Sequence, residues 1–196
     1  MSTAAADLAA GRWSIDPAHS EVTFTIRHLM TTVRGSFPDL EGEIRIAADP
    51  LESSARARIA MASIDTRNAE RDAHVRSAEI LDVGRYPSMT FDGTAVERAT
   101  IGRRARRPRY HLDGELTIRD VTRPVRLLVE FHGVGSDPWG GTRAGFTATG
   151  TLSRSDFGIE FNVPLQGDKV MLGDTIALQL EIQAVLDAPA GPPGGA

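Results

Sequence analysis

The sequence contains no cysteine in its 196 residues. This absence excludes a disulfide framework and any metal site built on thiolates. No apolar run approaches the ~18 residues that a transmembrane helix needs. The formal net charge is −4, which argues against non-specific binding to nucleic acid. What remains is a chain long enough to bury its own core as a single domain without covalent staples.

The two ends of the chain differ in composition from its middle. The first residues, MSTAAADLAAGR, lack the basic region and the apolar core of a signal peptide. We therefore expect a cytoplasmic protein with a disordered lead over residues 1–11. The last residues, 188–196, are rich in proline and glycine, and this composition predicts a disordered tail. The folded domain is predicted over residues 12–187.

Apolar and polar side chains alternate along most of the middle of the chain, which is typical of half-buried β-strands. Phe24 and Ile26, for example, share one face of their segment, and Thr23 and Thr25 share the other. A longer segment bends near Pro38, because proline interrupts a strand. The alternation predicts eight strands, over residues 20–28, 32–47, 54–62, 88–98, 109–118, 124–134, 142–153 and 174–186.

Short turns between these segments predict an all-β, antiparallel arrangement. Eight such strands can close into a barrel, which leaves no strand edge exposed. A sandwich of two sheets is the alternative, and the periodicity does not distinguish between them.

Residues 63–91 break the alternation. This stretch, SIDTRNAERDAHVRSAEILDVGRYPSMTF, predicts a short helix from about Asn68 to Ser77, inserted between the third and fourth strands. The helix is too short and too polar to be stable alone, so it must pack on the strands. Asp72 and Arg76 are four residues apart, which predicts an ion pair on the helix surface.

The inward-facing side chains are almost all apolar, and several of them are small. Glycine and alanine at positions such as Gly35, Gly114 and Ala148 either leave room for a ligand or fit the taper of a barrel. A ligand in such a cavity should be apolar and long. The predicted lining residues are Phe24, Ile26, Phe37, Met61, Phe91, Leu116, Phe131, Phe146 and Leu180.

Motifs of common enzyme classes are missing from the sequence. The five histidines show no HExxH spacing, and there is no G-x-S-x-G elbow or phosphate-binding glycine loop. We therefore predict no metal, no cofactor and no catalytic residue. The basic run from Arg103 to Arg109 is either a solvated loop tip or a site for an anionic surface. No aromatic residues are interleaved with it, which argues against nucleic acid.

Several separate pieces of the chain resemble the YceI-like family of lipid- and polyisoprenoid-binding proteins. They are WSIDPAHSEVTFTIRHLMTTVRGSF, the 63–91 stretch, GELTIRDVTRPV and LSRSDFGI, in that order. The resemblance implies an eight-stranded antiparallel, lipocalin-like barrel with an elongated pocket for a long isoprenoid or another amphiphilic lipid. It also implies a homodimer. Many members carry a secretory signal, which this sequence does not show.

Three functional hypotheses follow from these observations. The first is non-catalytic binding, storage or transport of a long-chain lipid: a polyisoprenoid, an isoprenoid quinone or a fatty-acid derivative. Under this hypothesis the lipid head group would meet His28, His74, Arg76 and Arg154. The second is an enzyme that acts on the lipid head group through Asp72, His74 or Asp156. The third is a stress-related interaction module with a filled interior.

Overall fold

The computed structural model describes residues 8–100, 107–164 and 171–188. The α-helix α1 (Ala69–Arg76) lies between the strands β5 and β6. Most of the predicted lead, the predicted tail and residues 103–106 of the basic run lie outside the described residues. The strand segments are β1 (Gly11–Ile15), β2 (Glu21–His28), β3 (Thr31–Phe37), β4 (Leu40–Ile46), β5 (Ser54–Ala60), β6 (Ser88–Arg98), β7 (Arg109–Ile118), β8 (Val121–Ser136), β9 (Thr142–Ser153) and β10 (Leu172–Leu186).

The strands form a closed antiparallel ring. From β4 to β10 each strand pairs with the next, and β1 pairs with both β4 and β10. β2 pairs with β10 and continues β1 after a short break, and β3 pairs with β2 and continues into β4 after Pro38. The ten segments therefore make eight strands. The predicted eight-stranded barrel, the helix between strands 3 and 4, and the bend near Pro38 are confirmed, and the sandwich is not found.

The break between β1 and β2 is fixed by polar contacts of Asp16. Its side chain accepts a hydrogen bond from the backbone N–H of Ala18, at 2.9 Å, and pairs with His19. Arg143 bridges Asp16 and Asp137, so the break is tied to the loop between β8 and β9. The hydrogen bond from Arg143 lowers the pKa of Asp16 to about 2, and the contacts with His19 and Ala18 act in the same direction.

Glycines on the inner face are sites of close packing. A Cβ atom at Gly35 would lie 2.4 Å from Cζ of Phe24, and one at Gly114 would lie 2.7 Å from Cζ of Phe91. Aromatic rings of neighbouring strands therefore cover these glycines, as expected where two chains must approach closely. The glycines at these two positions therefore do not create free volume, whereas Ala148 borders the cavity that is described below.

The two ends of the barrel are built differently. At one end, which we call the Trp13 end, Trp13 is fully buried against Ile46, Phe131 and Ala184. The indole Nε1 of Trp13 donates to the carbonyl of Ala9 at 3.1 Å. At the other end, which we call the helix end, α1 and the turn that follows β9 lie over the barrel. Polar side chains are concentrated there.

Candidate functional site: an apolar cavity inside the barrel

A cavity of about 770 Å³ lies inside the barrel, with lining residues at both of its ends. The lining includes Phe161 at the helix end and Ile46 at the Trp13 end. Along β10 it runs from Leu172 to Ile182, which is about 33 Å of strand at 3.3 Å per residue. Corrected for a strand tilt of about 40°, the cavity is roughly 25 Å long. Its mean width is then about 6 Å, which suits one extended chain.

Most of the predicted lining residues border this cavity. The aromatic residues lie in two pairs, with ring centroids 5.7 Å apart for Phe24 and Phe37 and 5.3 Å apart for Phe131 and Phe146. The predicted residues found in the lining are Phe24, Ile26, Phe37, Phe91, Leu116, Phe131, Phe146 and Leu180. Whether they contact a ligand stays a prediction.

Met61 lies elsewhere than predicted. It is fully buried and belongs to the packed core, and it is not among the residues that border the cavity. The alternation of β5 ends at Ala60, and a 3-10 turn (Met61–Ser63) follows. The prediction assumed that the alternation of β5 continues to residue 61. Because the strand ends one residue earlier, the side chain of Met61 lies in the packed core and not in the cavity lining.

The corner before α1 is held by buried polar contacts. Asn68 caps the helix by accepting from the N–H of Arg71. Oδ1 of Asp72, which is buried, accepts from the N–H and the hydroxyl of Thr66, at 2.9 and 2.6 Å. Arg71 donates to the hydroxyl and the carbonyl of the same threonine, both at 2.7 Å. The predicted surface ion pair between Asp72 and Arg76 is therefore wrong.

Arg76 was also predicted to face a lipid head group. Its Nη2 instead donates to the carbonyl of Ile64, at 2.6 Å, and the residue does not border the cavity. It ties the end of α1 to the segment that leads into the helix, which is a structural role.

The other three predicted head-group residues border the cavity and converge at the helix end. Arg154 is buried, and its guanidinium donates to the carbonyls of Ile159, Phe161 and Gly173, at 2.7, 2.7 and 3.0 Å. The ring of Phe161 packs edge-on against His74, with centroids 4.8 Å apart.

His28 joins the same end through the pairing of the strands. It is the last residue of β2, and its partner on β10 is Leu172, which precedes Gly173. Residues from β2, α1 and the segment after β9 therefore meet at one mouth of the cavity, although they are far apart in sequence.

Three lining residues of α1 and its cap were not predicted. Asn68, Glu70 and Arg71 border the cavity together with His74 and Val75. Residues 71, 74 and 75 have the i, i+3, i+4 spacing of one helix face, so the helical period was a usable signal.

The polar part of the lining is unevenly distributed. At the Trp13 end it consists of Ser53, Ser54, Arg56 and Tyr110. At the helix end it includes His28, Thr66, Asn68, Glu70, Arg71, His74 and Arg154. A mostly apolar bore with its polar groups concentrated at one end is the arrangement that an amphiphile needs, since its head group must stay hydrated or hydrogen-bonded.

The acid–base groups of the enzymatic hypothesis are not brought together. Asp72 is occupied by Thr66, and neither it nor Asp156 borders the cavity, whereas His74 does. The described residues contain no cluster of three His, Cys, Asp or Glu side chains that could hold a metal ion. Among those same residues, no helix is long and apolar enough to cross a membrane.

Comparisons with known proteins agree on one family. A family model described as the YceI-like domain matches residues 13–184. A UPF0312 protein of Ectopseudomonas mendocina is 37% identical over 169 residues, which are 85% of this chain and 82% of the relative.

Solved structures share the fold. BcnA of Burkholderia cenocepacia superposes with a TM-score of 0.70 at 20% identity, over 86% of this chain and 98% of that one. A polyisoprenoid-binding domain from Saccharophagus degradans, implicated in plant cell wall breakdown, superposes with a TM-score of 0.66 at 12% identity. The superposition covers 89% of this chain and 98% of the other. At these identities the likeness shows the fold alone.

Proposed function

Since this chain belongs to the YceI-like domain family, we propose that it binds, stores or carries one long-chain lipid without chemically changing it. The ligand would be a polyisoprenoid, an isoprenoid quinone or a fatty-acid derivative. The observation that supports this proposal is the narrow, mostly apolar cavity of about 770 Å³, whose polar lining residues are concentrated at the helix end. The printed description of the Saccharophagus degradans domain, which names a polyisoprenoid, supports the same ligand class.

The ligand is expected to lie with its head group at the helix end. There, His28, His74 and Arg154 border the cavity, and polar groups can replace water around the head group. The tail would point towards Phe131 and Phe146, at the end of the cavity that has fewer polar lining residues.

The first experiment asks which lipid the protein holds. Native mass spectrometry of the purified chain should show a bound species of lipid mass, and organic extraction should release a long apolar molecule. Added polyprenyl quinone should bind with a stoichiometry of one, because the cavity admits one chain. A protein that copurifies with no lipid and binds neither quinones nor fatty amides would contradict the proposal.

A second experiment tests the orientation. Because the chain has no cysteine, a single introduced cysteine carries a fluorophore at one known position. Glu70→Cys labels the helix end and Leu51→Cys labels the Trp13 end, and both sites are exposed. A bound quinone should quench the fluorophore at position 70 more strongly than the one at position 51. Equal or reversed quenching would contradict the orientation.

Two competing hypotheses gain less support. An enzyme acting on the head group would use Asp72, His74 or Asp156, and only His74 borders the cavity. Incubation with the extracted lipid and mass analysis of the products tests this directly. An interaction module with a filled interior conflicts with the open cavity.

Two further expectations complete the proposal. We propose that the protein is a homodimer, which light scattering measures. We also propose a cytoplasmic location, which fractionation of the producing cell tests.

A further inference from the structure

The turn between β2 and β3 places two apolar side chains in solvent at the helix end. His28 pairs with Thr31 across the hairpin, so Leu29 and Met30 form a two-residue turn. Met30 is 94% exposed and Leu29 is 44% exposed. The tip therefore leaves apolar surface, above all that of Met30, in contact with water.

The backbone conformation of the turn adds strain to this choice of residues. Leu29 has φ of 53°, in the left-handed region that glycine and asparagine occupy with far less strain than leucine. It is the only apolar side chain among the non-glycine residues with positive φ in the described part of the chain. Stability of the hairpin would therefore favour other residues at positions 29 and 30.

The exposed tip is continuous with the mouth of the cavity. The N–H of Leu29 donates to the carbonyl of Met171, at 2.8 Å, and the N–H of Met171 donates to the carbonyl of Val163, at 3.0 Å. Met171 borders the cavity, and Val163 is 41% exposed. Leu29, Met30 and Val163, which we call the rim, thus join solvent-exposed apolar surface to the apolar interior.

The charges around the rim are asymmetric. The hairpin (residues 21–37) includes Arg27 and Arg34, and its one acidic residue, Glu21, lies at the end of β2 far from the tip, although the chain as a whole carries a net charge of −4. Acidic residues of this end, among them Asp65, Glu70, Glu160 and Asp174, belong to other elements, and the carboxylate of Asp174 on β10 accepts from the N–H and the hydroxyl of Ser155. The part of the hairpin near its tip therefore carries positive charge of its own at the helix end.

We propose that the rim docks on the surface of an anionic lipid bilayer, with the tip of the hairpin inserted, and that the ligand passes between bilayer and cavity there. Apolar side chains flanked by arginines are what such a surface attracts. The route of the ligand rests on the proposed function, whereas the docking does not and can be tested without a ligand.

The test is flotation of the full chain with vesicles of phosphatidylcholine, with and without one quarter phosphatidylglycerol. The double variant Leu29→Asn with Met30→Gly keeps the hairpin, because Asn-Gly favours such turns, but removes the apolar tip. We expect its partition to fall about 10-fold, with an unchanged or higher melting temperature. Trp139→Ser is the matched control, since Trp139 is 83% exposed in the turn between β8 and β9 at the other end.

The charge is tested separately. Arg34→Gln should lower partition to the anionic vesicles about fivefold and leave partition to neutral vesicles unchanged. Arg58 is exposed on the outer face of β5, so Arg58→Gln should change partition to neither the anionic nor the neutral vesicles. Flotation of the Asn-Gly variant at the wild-type level, or loss of binding in Trp139→Ser, would overturn the proposal.

A comparison of flotation with lipid extraction separates the proposed docking from the proposed function. If the wild type floats with vesicles but extracts and mass spectra show no lipid in its cavity, the docking stands and the lipid-carrier function fails. If lipid is found in the cavity but the wild type does not float, the docking is wrong and the function stands. Uptake of a fluorescent quinone from vesicles should slow in the Asn-Gly variant if both hold.

Discussion

The volume of the cavity predicts the length of the chain that it can enclose. If each carbon occupies about as much room as a water molecule in the liquid, roughly 30 Å³, a cavity of 770 Å³ encloses about 25 carbons. A chain of about 40 carbons would need roughly 1,200 Å³ by the same ratio, so part of it would remain outside. Retention should therefore improve with length up to about 25 carbons and then level off.

Ala148→Phe perturbs this limit in a defined way. Ala148 lies on β9, is buried, borders the cavity, and pairs with Val129 and Leu180. Phenylalanine adds six carbon atoms there, which should displace about six ligand carbons at close packing. The longest enclosed chain should then shorten by about one isoprene unit. At about 0.8 kcal/mol per methylene, the loss of affinity has an upper bound of about 5 kcal/mol.

The assay loads the protein with an equimolar series of polyprenyl quinones and reads the bound lengths by native mass spectrometry. Ala177→Phe is the matched control, because Ala177 is exposed on the outer face of β10 and receives the same six carbons outside the cavity. The reasoning is refuted if Ala148→Phe leaves the length distribution unchanged, or if Ala177→Phe shifts it equally.

Three predictions concern the framework of the barrel. Gly35→Ala should lower the free energy of unfolding by about 1–3 kcal/mol, because its Cβ would clash with the ring of Phe24; chemical denaturation measures this, and no loss would contradict the close packing. Arg154→Lys should lower the free energy of unfolding by about 2 kcal/mol and accelerate amide exchange in residues 159–161, because a single ammonium nitrogen cannot take the place of the two guanidinium nitrogens that donate to these three carbonyls; unchanged exchange would contradict that role. Because the pKa of Asp16 is lowered from 3.8 to about 2, its contribution to stability is present above pH 3.8 and disappears as the pH falls through about 2. Asp16→Asn should therefore lower the free energy of unfolding at pH 7 by about 1 kcal/mol, and the variant and the wild type should differ less near pH 2. Melting curves at both pH values measure this, and an equal difference at both would contradict the lowered pKa of Asp16.

The strands were predictable because their signal is local. Alternation along each segment reports which side chains face inwards, and the bend at Pro38 follows from a missing N–H donor. The closure of the barrel, in contrast, depends on pairing between segments that are far apart in the sequence. Trp13 pairs with Leu186, and no pattern within either segment reports that the first and last strands meet. The barrel was therefore one of two possible architectures until the pairing was known.

The site was predictable on the strands and poorly predictable at the corner. Eight lining residues follow from the two-residue period, whereas Met61 fails one position after β5 ends. At the corner, spacing suggested that Asp72 pairs with Arg76, but each meets a backbone or hydroxyl group of the segment before the helix. A polar residue that packs on irregular backbone leaves no periodic trace in the sequence.

The contacts at the mouth also indicate how the protein would choose its ligand. The Nε and one Nη of Arg154 are occupied by backbone carbonyls, and Arg71 is similarly held by Thr66. A head group that approaches these guanidinium groups meets donors that are already satisfied in large part, so it gains little from them. The apolar bore, in contrast, contributes with every enclosed carbon. We therefore expect lipids of equal chain length and different head groups to compete nearly equally, and lipids of different length to compete unequally. A strong preference for one head group in a competition assay would show that His28 and His74, rather than the bore, determine selectivity.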